Sequence, residues 1–596
     1  MNTHKYNLGI IGNCAYLALI DKLANVKWLC WPKFDSSFVF GGLLDDNKGG
    51  EFSVTPVDEQ FETNQYYIEN TNVLCTEFEV GGGDKFRVTD FAPRFFQYER
   101  YYKPLMLVRK IEPLSGTPLV KVACNPTGEY GTMKPETLMG SNHIMYLGLE
   151  QQIRLTSNIP LNYVMDNDFF VLNEPKYLVI TYGIPLEAPL VDTAEDFLRK
   201  TIKYWRDWVT TTSIGRFYQD RIIRSALVLK IHQYEDTGAI AAAATTSLPE
   251  APNSTRNWDY RYCWMRDTYY ILTAFNNIGH FEEMKNYFNF IENVTKSEKD
   301  RFQPLYKIHG TNTKTIEERI VDLEGYLGNK PVRVGNAAYT HIQNDVYGQV
   351  LVSLLPLYND KRFITTGKVF SPRLVEHCLQ KIEDTMNEPD AGLWEFRNKA
   401  QLHCYTFLFH WAGSAAAYQI AGFFKDEKMA KKALALKKEA SNRIEACYDK
   451  QNRVYTQAAG TKHLDASCLQ LITMNYLDPS SEAAKVHLAH MEKELRSTDG
   501  LFFRYKHQDD FGEPESTFLI CAYWYIEALA CVGRIDEAIE IFERLNKYSN
   551  HLGLLSEDVD AKTGSQWGNF PQAYSHVGQV NAAYRIEKKL DMPNFY

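Results

Sequence analysis

The sequence predicts two domains, an N-terminal antiparallel β-sandwich followed by an (α/α)6 barrel. A chain of 596 residues is too long for one ordinary hydrophobic core. Residues 1–191 contain short apolar runs at nearly even spacing, which favours strands, whereas residues 216–596 show helical periodicity. The charged segment 192–215 is predicted to be a helical linker between the two domains.

The composition narrows the class of protein. A hydrophobic share of 45% and a charged share of 23% are typical of a globular protein. The formal net charge of -9 argues against a nucleic-acid partner, and no segment is apolar for long enough to span a bilayer. Aromatic residues make up 13%, which suits either a large core or a cleft that stacks against sugar rings.

The eleven cysteines contain no Cys-X-X-Cys pair and are spread singly through apolar segments. This pattern predicts buried free thiols in a reducing, cytoplasmic compartment, with neither a metal site nor a disulfide framework. The apolar run 8–20 is interrupted by Asn13 and is predicted to be a strand and turn, with a secretory signal as the alternative. No cofactor is predicted, and the oligomeric state stays open.

Turn clusters separate the predicted strands of the first domain, for example at residues 81–84 and 125–128. Many short strands between such turns are typical of an antiparallel sandwich. The predicted strands are 26–30, 52–54, 73–80, 105–111, 120–124 and 177–182.

Twelve helical stretches are predicted in the second domain, and they alternate between two kinds. Segment 426–448 has one charged face, whereas segments 404–421 and 517–531 are apolar or small nearly all round, as helices covered on every side are. Six buried helices that alternate with six half-exposed ones predict two concentric rings. The stretches are 217–236, 266–277, 281–296, 336–355, 371–386, 402–422, 427–447, 464–475, 481–495, 517–532, 535–546 and 572–590.

The connections from an outer helix to the next inner helix are long, and most of those from inner to outer are short. Because neighbouring helices are antiparallel, the long loops converge on one mouth of the barrel. Loops longer than the fold requires are usually functional. We therefore expect a functional site at this mouth.

Glu395 lies in the third long loop, directly after the apolar Leu393 and Trp394. An apolar wall disfavours the ionised carboxylate, so Glu395 is expected to stay protonated near neutral pH and to act as a general acid. The alternative is a packed Trp394 beside a solvated glutamate.

The sixth long loop supplies a second carboxylate, Glu557, next to Asp558. Two carboxyl groups on opposite loops of one mouth fit glycoside hydrolysis, in which one protonates the leaving oxygen and the other activates the nucleophile. A separation of about 6.5 to 9.5 Å would predict inversion, and about 5 to 5.5 Å retention. The alternative for Glu557 is a solvated loop acid or a helix cap.

The first long loop contains the components of a sugar clamp. Arg266 and Asp267 can bond to hydroxyl groups, and Trp264 offers a ring face, with Trp258 just upstream. Asp267 could instead cap the helix that follows it.

Several long motifs carry a resemblance to a known family. They lie at 11–16, 31–36, 256–267, 325–328, 331–336, 393–395, 554–560 and 568–576. Together they resemble glycoside hydrolase family 15, the glucoamylases and their prokaryotic relatives, in which a β-sandwich precedes the barrel. The resemblance spans nearly the whole chain.

The resemblance implies an inverting exo-hydrolase that releases β-glucose and needs no metal. Glu395 falls on the family's general acid and Glu557 on its general base, while the family's motif for the non-reducing-end glucose falls on three residues of the first loop. Arg504 lies where the family has another sugar-contacting arginine. The full set of predicted substrate-binding residues is Trp258, Trp264, Arg266, Asp267, Arg333, Trp394 and Arg504.

The substrate is left open among related sugars. Hydrolysis of α-glucans or maltooligosaccharides is favoured, and α,α-trehalose or α-1,6-glucosides are the alternatives within the family. A non-catalytic sugar sensor and a phosphorylase are alternatives from other classes, and the presence of both glutamates disfavours them. Arg397 is followed by Asn398 and Lys399 where many prokaryotic members have glycine, which puts the leaving sugar in doubt.

Overall fold

The computed structural model describes residues 3–297, 301–310, 315–320, 322–361 and 372–591. A β-rich region is followed by a helical region, as predicted. The predicted helix 371–386 begins at a residue outside this part of the chain, and its described portion is helical from Pro372. The division at residues 191 and 215 stays a prediction.

The β-rich region contains seventeen strands in its described residues. They are β1 (Leu8–Gly12), β2 (Leu17–Asp21), β3 (Val26–Cys30), β4 (Phe38–Phe40), β5 (Glu51–Pro56), β6 (Phe61–Tyr67), β7 (Leu74–Val80), β8 (Lys85–Phe91), β9 (Phe95–Gln97), β10 (Arg100–Tyr102), β11 (Met106–Ser115), β12 (Leu119–Asn125), β13 (Glu136–Met139), β14 (His143–Leu147), β15 (Ile153–Ser157), β16 (Phe169–Val171) and β17 (Lys176–Tyr182).

The largest sheet has eight antiparallel strands in the order β13-β14-β15-β17-β11-β8-β7-β6. A four-stranded sheet, β1 to β4, and a three-stranded sheet, β16-β12-β5, pack with it around one core. The predicted run 8–20 is the hairpin of β1 and β2. Strands β11 and β8 are antiparallel, and Ile111 and Val88, which lie opposite each other, both enter this core.

The described residues contain fourteen α-helices. They are α1 (Leu161–Met165), α2 (Leu190–Thr210), α3 (Gln219–His232), α4 (Thr268–Asn277), α5 (Phe281–Ser297), α6 (Asp345–Asn359), α7 (Pro372–Thr385), α8 (Cys404–Phe424), α9 (Glu427–Glu445), α10 (Gln470–Thr473), α11 (Glu482–Leu495), α12 (Leu519–Cys531), α13 (Ile535–Leu545) and α14 (Ala573–Asp591).

The inner ring of the barrel consists of α4, α6, α8, α10, α12 and α14. Consecutive members contact one another, except that α8 contacts the 3-10 turn 466–469 directly before α10, and α14 returns to α4, which closes the ring. Helices α8 and α12 are buried on nearly every side because the outer helices cover them. The predicted (α/α)6 architecture is confirmed.

Three elements differ from the predicted pattern. Helix α3 belongs to the outer ring but is mostly buried, because the β-rich region covers it through β1. Helix α6 begins at Asp345 and not near 336, since the Asn336 side chain accepts from Ala338 N and starts a separate short turn. The fourth inner helix is short and follows a 3-10 turn that Asp465 caps.

The linker prediction corresponds to α2, a single helix that packs against β9 and β17 of the sandwich. Its Trp205 is fully buried. All the cysteines are free thiols, buried except for Cys531. In the described ranges, no helix combines the length and apolarity needed to cross a bilayer.

Lys230 and Glu283 form an ion pair where α2, α3 and α5 meet. Lys230 Nζ lies 2.9 Å from Glu283 Oε1, and the two side chains are 5% and 3% exposed. Trp208 Nε1 donates to the same carboxylate at 2.9 Å. Burial raises the pKa of Glu283, but the charge of Lys230, the neighbouring His280 and the hydrogen bonds from Lys230 and Trp208 together outweigh it and lower the pKa to about 2.

Because the folded pKa of Glu283 is below the ordinary value of 4.5, its contribution to stability is present above that value and is lost as the pH falls toward 2. We expect Glu283→Ala to destabilise the protein by about 3 to 5 kcal/mol at neutral pH, because Lys230 stays buried without its partner. Thermal unfolding of the variant and wild type at neutral pH measures the loss.

The matched control is Glu292→Ala on the same helix. Glu292 pairs with Lys296, whose side chain is 64% exposed, so its removal is expected to cost less than about 1 kcal/mol. Similar midpoints for both variants would contradict a structural role for the buried pair.

Candidate active site

A cavity opens at the mouth where the long loops meet. We number these loops in chain order: loop 1 joins α3 to α4, loop 2 joins α5 to α6, loop 3 joins α7 to α8, loop 4 joins α9 to α10, loop 5 joins α11 to α12 and loop 6 joins α13 to α14. Side chains from the first three loops and from loop 5 form most of the wall.

Glu395 stands on a tight turn of loop 3. Its φ is +63°, which is a left-handed conformation. This conformation is energetically unfavourable for any residue except glycine, and it is often found at functional positions. The turn is closed by Glu395 N, which donates to Gly392 O at 3.2 Å, and by Asp390 Oδ1, which accepts from Gly392 N at 3.0 Å. A Cβ at Gly392 would lie 2.6 Å from the His403 ring, so this position requires glycine.

Donors from loops 1 and 2 hold the Glu395 carboxylate. Its Oε1 accepts from Trp264 Nε1 at 2.7 Å and from Arg266 Nη1 at 2.8 Å. Gln343 Nε2 donates to the same oxygen at 3.3 Å. Charged and neutral donors on one oxygen favour the ionised form of the acid.

The expectation that an apolar wall keeps Glu395 protonated is wrong. Burial does raise the pKa of Glu395, but the charge of Arg266, the nearby His341 and the hydrogen bond from Trp264 outweigh it. The pKa therefore lies below its ordinary value of 4.5, and without ligand the side chain is ionised at neutral pH.

Asp267 lines the cavity beside Arg266 and is buried. It occupies the N-cap position of α4, but its side chain makes no capping hydrogen bond within the described part of the chain. Burial raises the pKa of Asp267 to about 6, against the opposing charge of Arg266. The capping alternative does not account for this carboxylate, whereas a sugar hydroxyl at the cavity surface would.

Glu557 is fully buried next to the cavity wall. Its Oε2 accepts from Asn569 N at 3.2 Å, and its carboxylate interacts with the hydroxyl of Tyr260, which lines the cavity. A Cβ at Gly568 would lie 2.5 Å from the Glu557 Cβ. Glycine at 568 therefore allows loop 6 to pack directly against Glu557, and the alternative of a solvated loop acid is wrong.

Glu557 belongs to a buried carboxyl cluster with Asp558 and Glu250. Glu250 accepts from Trp258 Nε1 at 2.9 Å and pairs with Arg504. Burial, followed by the charge of Glu250, raises the pKa of Glu557 to about 8. Burial and the same negative neighbours raise the pKa of Asp558. The cluster therefore holds protons at neutral pH.

Arg333 does not reach the cavity. It is 2% exposed and donates to Asn257 O at 2.8 Å and to Thr255 O at 3.0 Å. Its guanidinium lies over the Trp258 ring, 4.6 Å from the centroid. The structure therefore separates Arg333 from the other predicted site residues and gives it contact with Trp258, which does line the cavity.

Trp394 lines the cavity, and its Nε1 donates to Asp465 Oδ2 at 2.8 Å. Asp465 also caps the 3-10 turn that precedes α10. The indole of Trp394 is thereby connected, through Asp465 of loop 4, to the inner helices of the barrel.

The arginines of the cavity wall are each paired with a carboxylate. The pairs are Arg256 with Asp509, Arg266 with Glu395, Arg397 with Glu317, and Arg504 with Glu250. Because their charges are neutralised, the wall suits an uncharged polar ligand better than a phosphorylated one. Within the described residues, no group of three or more His, Cys, Asp or Glu side chains could hold a metal ion.

Sequence reasoning missed several residues of the wall. Glu250, Arg256 and Asp509 were absent from the predicted set, although all three line the cavity. Tyr260 lines the cavity as well and was also absent from the predicted set. The local sequence around Glu250 carries no periodic or paired signal, because its partners Arg504 and Glu557 come from loops 5 and 6.

Comparisons with known proteins give concordant results. The profile described as glycosyl hydrolases family 15 matches residues 216–584, and the one described as trehalase-like, N-terminal, matches residues 4–168. A protein of Thermoplasma volcanium named trehalase is 34% identical over 98% of this chain and 93% of its own length. A trehalase of Mycolicibacterium smegmatis is 28% identical over 97% of this chain and 90% of its own.

A solved structure supports the architecture. A bacterial glucoamylase complexed with acarbose matches with a TM-score of 0.70 at 15% identity, covering 100% of this chain and 96% of that one. At this identity the similarity concerns the fold alone. Taken with the family match over the barrel, the conclusion is that the chain belongs to glycosyl hydrolase family 15 and is a glycoside hydrolase.

Proposed function

We propose that this enzyme hydrolyses α,α-trehalose with inversion, and that Glu395 is the general acid and Glu557 the general base. The observation that carries the reaction type is a pair of glutamates: Glu395 lines the cavity and is held by Trp264 and Arg266, and Glu557 is buried behind Tyr260, which lines the same cavity. A polar wall whose arginines are paired with carboxylates suits an uncharged disaccharide of glucose.

The substrate proposal rests on relatives that cover nearly the full chain. Proteins named trehalase match at 34% identity in Thermoplasma volcanium and 30% in Sulfolobus acidocaldarius. These names favour trehalose over the α-glucans that the sequence alone favours. Maltooligosaccharides remain the second candidate, because the family fold is shared with a glucoamylase.

In the proposed reaction, Glu557 takes a proton from water as the water attacks the anomeric carbon, and Glu395 gives a proton to the bridging oxygen. Attack from the opposite face inverts one anomeric centre and leaves the other untouched. One trehalose therefore yields one β-glucose and one α-glucose. A retaining reaction would yield two α-glucose molecules.

The first prediction concerns the products. Proton NMR in the first minutes should show α- and β-glucose at equal initial rates from trehalose, with slower or no release from maltose, maltotriose, isomaltose, kojibiose and nigerose. Faster hydrolysis of maltose would transfer the proposal to α-glucans. If the full panel gave no glucose, a non-catalytic sugar sensor would be favoured instead.

The second prediction concerns the glutamates. Glu395→Gln and Glu557→Gln should each lower kcat by about 10²- to 10⁴-fold while the protein stays folded, because each removes one proton transfer. Glu318→Gln is the matched control, since Glu318 is an exposed glutamate of loop 2. Near-normal turnover in either site variant, with an unchanged thermal midpoint, would disprove that residue's role.

The third prediction concerns pH. The reactive state carries one proton on Glu395 and none on Glu557, whereas the pKa of Glu395 is lowered and that of Glu557 is raised to about 8. The pair therefore carries one proton between these two values, and kcat/KM should be bell-shaped. When the pH falls below the lower pKa, activity decreases because Glu557 and Glu395 are both protonated. When the pH rises above about 8, activity decreases because the pair loses its last proton.

Glu250→Gln tests this assignment. Because the charge of Glu250 raises the pKa of Glu557, its removal should move the alkaline limb of kcat/KM to lower pH. The pH at which the alkaline limb falls is measured separately from the maximum kcat/KM. The maximum is expected to decrease because Glu250 also pairs with Arg504. An alkaline limb at the same pH in wild type and variant would show that Glu557 does not control it.

A further inference from the structure

A short turn of loop 5, residues 509–512, lines the cavity with Asp509, Asp510 and Phe511, and we call it the strap. Asp509 N donates to Gly512 O at 3.1 Å, and Phe511 N donates to Asp509 Oδ1 at 2.7 Å. Gly512 has a φ of +98°, which lets the chain reverse tightly. The strap is therefore a closed, internally bonded unit.

An ion pair fixes the strap to loop 1. Arg256 Nη2 donates to Asp509 Oδ1 at 2.5 Å and to Gly512 O at 2.9 Å. The two side chains are 10% and 5% exposed, and Tyr505 donates to the same aspartate. Breaking such a sheltered charge pair is costly, so this end of the strap is held firmly.

A carboxylate fixes the strap to loop 3. Asp510 Oδ2 accepts from Arg397 N at 2.5 Å and from Asn398 N at 3.4 Å. These backbone groups follow Glu395 by two and three residues. The position of the strap is thereby coupled to the position of the proposed acid.

The aromatic ring of the strap completes the wall. Phe511 packs edge to face against Trp258, with centroids 5.0 Å apart, and the Arg397 guanidinium lies 5.2 Å from the Phe511 centroid. Arg397 also lies over Trp258 at 4.7 Å and pairs with Glu317 at 2.9 Å. Side chains from loops 1, 2, 3 and 5 therefore interlock along this side of the cavity.

We propose that the strap is the outer wall of the site for the leaving sugar and limits that sugar to a single hexose. The inference rests on the proposed function, in which Trp264, Arg266 and Asp267 hold the transferred glucose. The leaving sugar then lies on the other side of Glu395, where Arg397, Asp510 and Phe511 line the cavity. A second leaving residue would have to displace Phe511 from Trp258.

The test compares substrates that differ only in leaving-group length. The first pair is trehalose and a trisaccharide in which one glucose of trehalose carries an α-1,4-linked glucose. Release of maltose from the trisaccharide measures cleavage with the longer leaving group. The second pair is maltose and maltotriose. Steric exclusion should make kcat/KM lower by about 10- to 200-fold for the longer member of each cleaved pair.

The variants open the wall in two ways. Phe511→Ala removes the ring, and Asp510→Asn removes the charge that accepts from loop 3; Phe511→Leu serves if the alanine variant does not fold. Asp478→Asn is the matched control, because Asp478 likewise accepts from a backbone N–H, of Ser480 at 2.9 Å, at the opposite end of the barrel. Thermal midpoints accompany every variant.

The proposal is supported if the strap variants raise the long-to-short ratio of kcat/KM by at least about tenfold while the control leaves it unchanged. A wild-type enzyme that accepts both lengths equally overturns it, as does an unchanged ratio in folded strap variants. Failure of the proposed function is distinguished from failure of this proposal because it would appear as no cleavage of trehalose. The strap is then tested by the ratio of kcat/KM for maltotriose to kcat/KM for maltose.

Discussion

The contact of Arg266 with Glu395 is the interaction on which the arrangement of the site depends. It joins loops 1 and 3, whose residues are far apart in the chain, and a half-buried carboxylate on a strained backbone needs such a partner. The same contact lowers the pKa of Glu395, so the proposed acid is ionised before substrate arrives. A sugar oxygen that took over the hydrogen bond of Arg266 would raise that pKa and prepare the proton donor.

At neutral pH, protons are held by the carboxyl cluster around Glu557 and not by Glu395. Glu557, Asp558 and Glu250 share a buried region with Arg504, and burial raises the pKa of both Glu557 and Asp558. Under the proposed mechanism, the pair of glutamates works with one proton that must lie on Glu395 when the bond breaks. Under this mechanism the proton lies on Glu557 in the resting site and on Glu395 in the reacting site.

The fold makes this arrangement rigid. Inner helices covered on every side present their N-terminal ends at one mouth, and Trp394 is tied to this framework through Asp465. The strap belongs to loop 5 and contacts loop 1 through an ion pair and loop 3 through backbone hydrogen bonds, so the three loops are joined along one side of the cavity. We propose that this wall determines the specificity for the leaving sugar, and that loop 1, through its contact with Glu395, forms the clamp for the transferred glucose.

The sequence by itself determined the β-then-α order, the alternation of buried and half-exposed helices and the loops that carry Glu395 and Glu557. Periodicity and turn residues act over a few neighbouring positions, so a linear pattern records them. Only the tertiary structure decided that Arg333 lies behind Trp258, that Glu250 and Asp509 enter the wall, that α6 starts at Asp345, and that the pKa of Glu395 is lowered. Those outcomes depend on charges and surfaces from distant segments, and the field at a carboxylate is set by whichever groups the fold brings next to it.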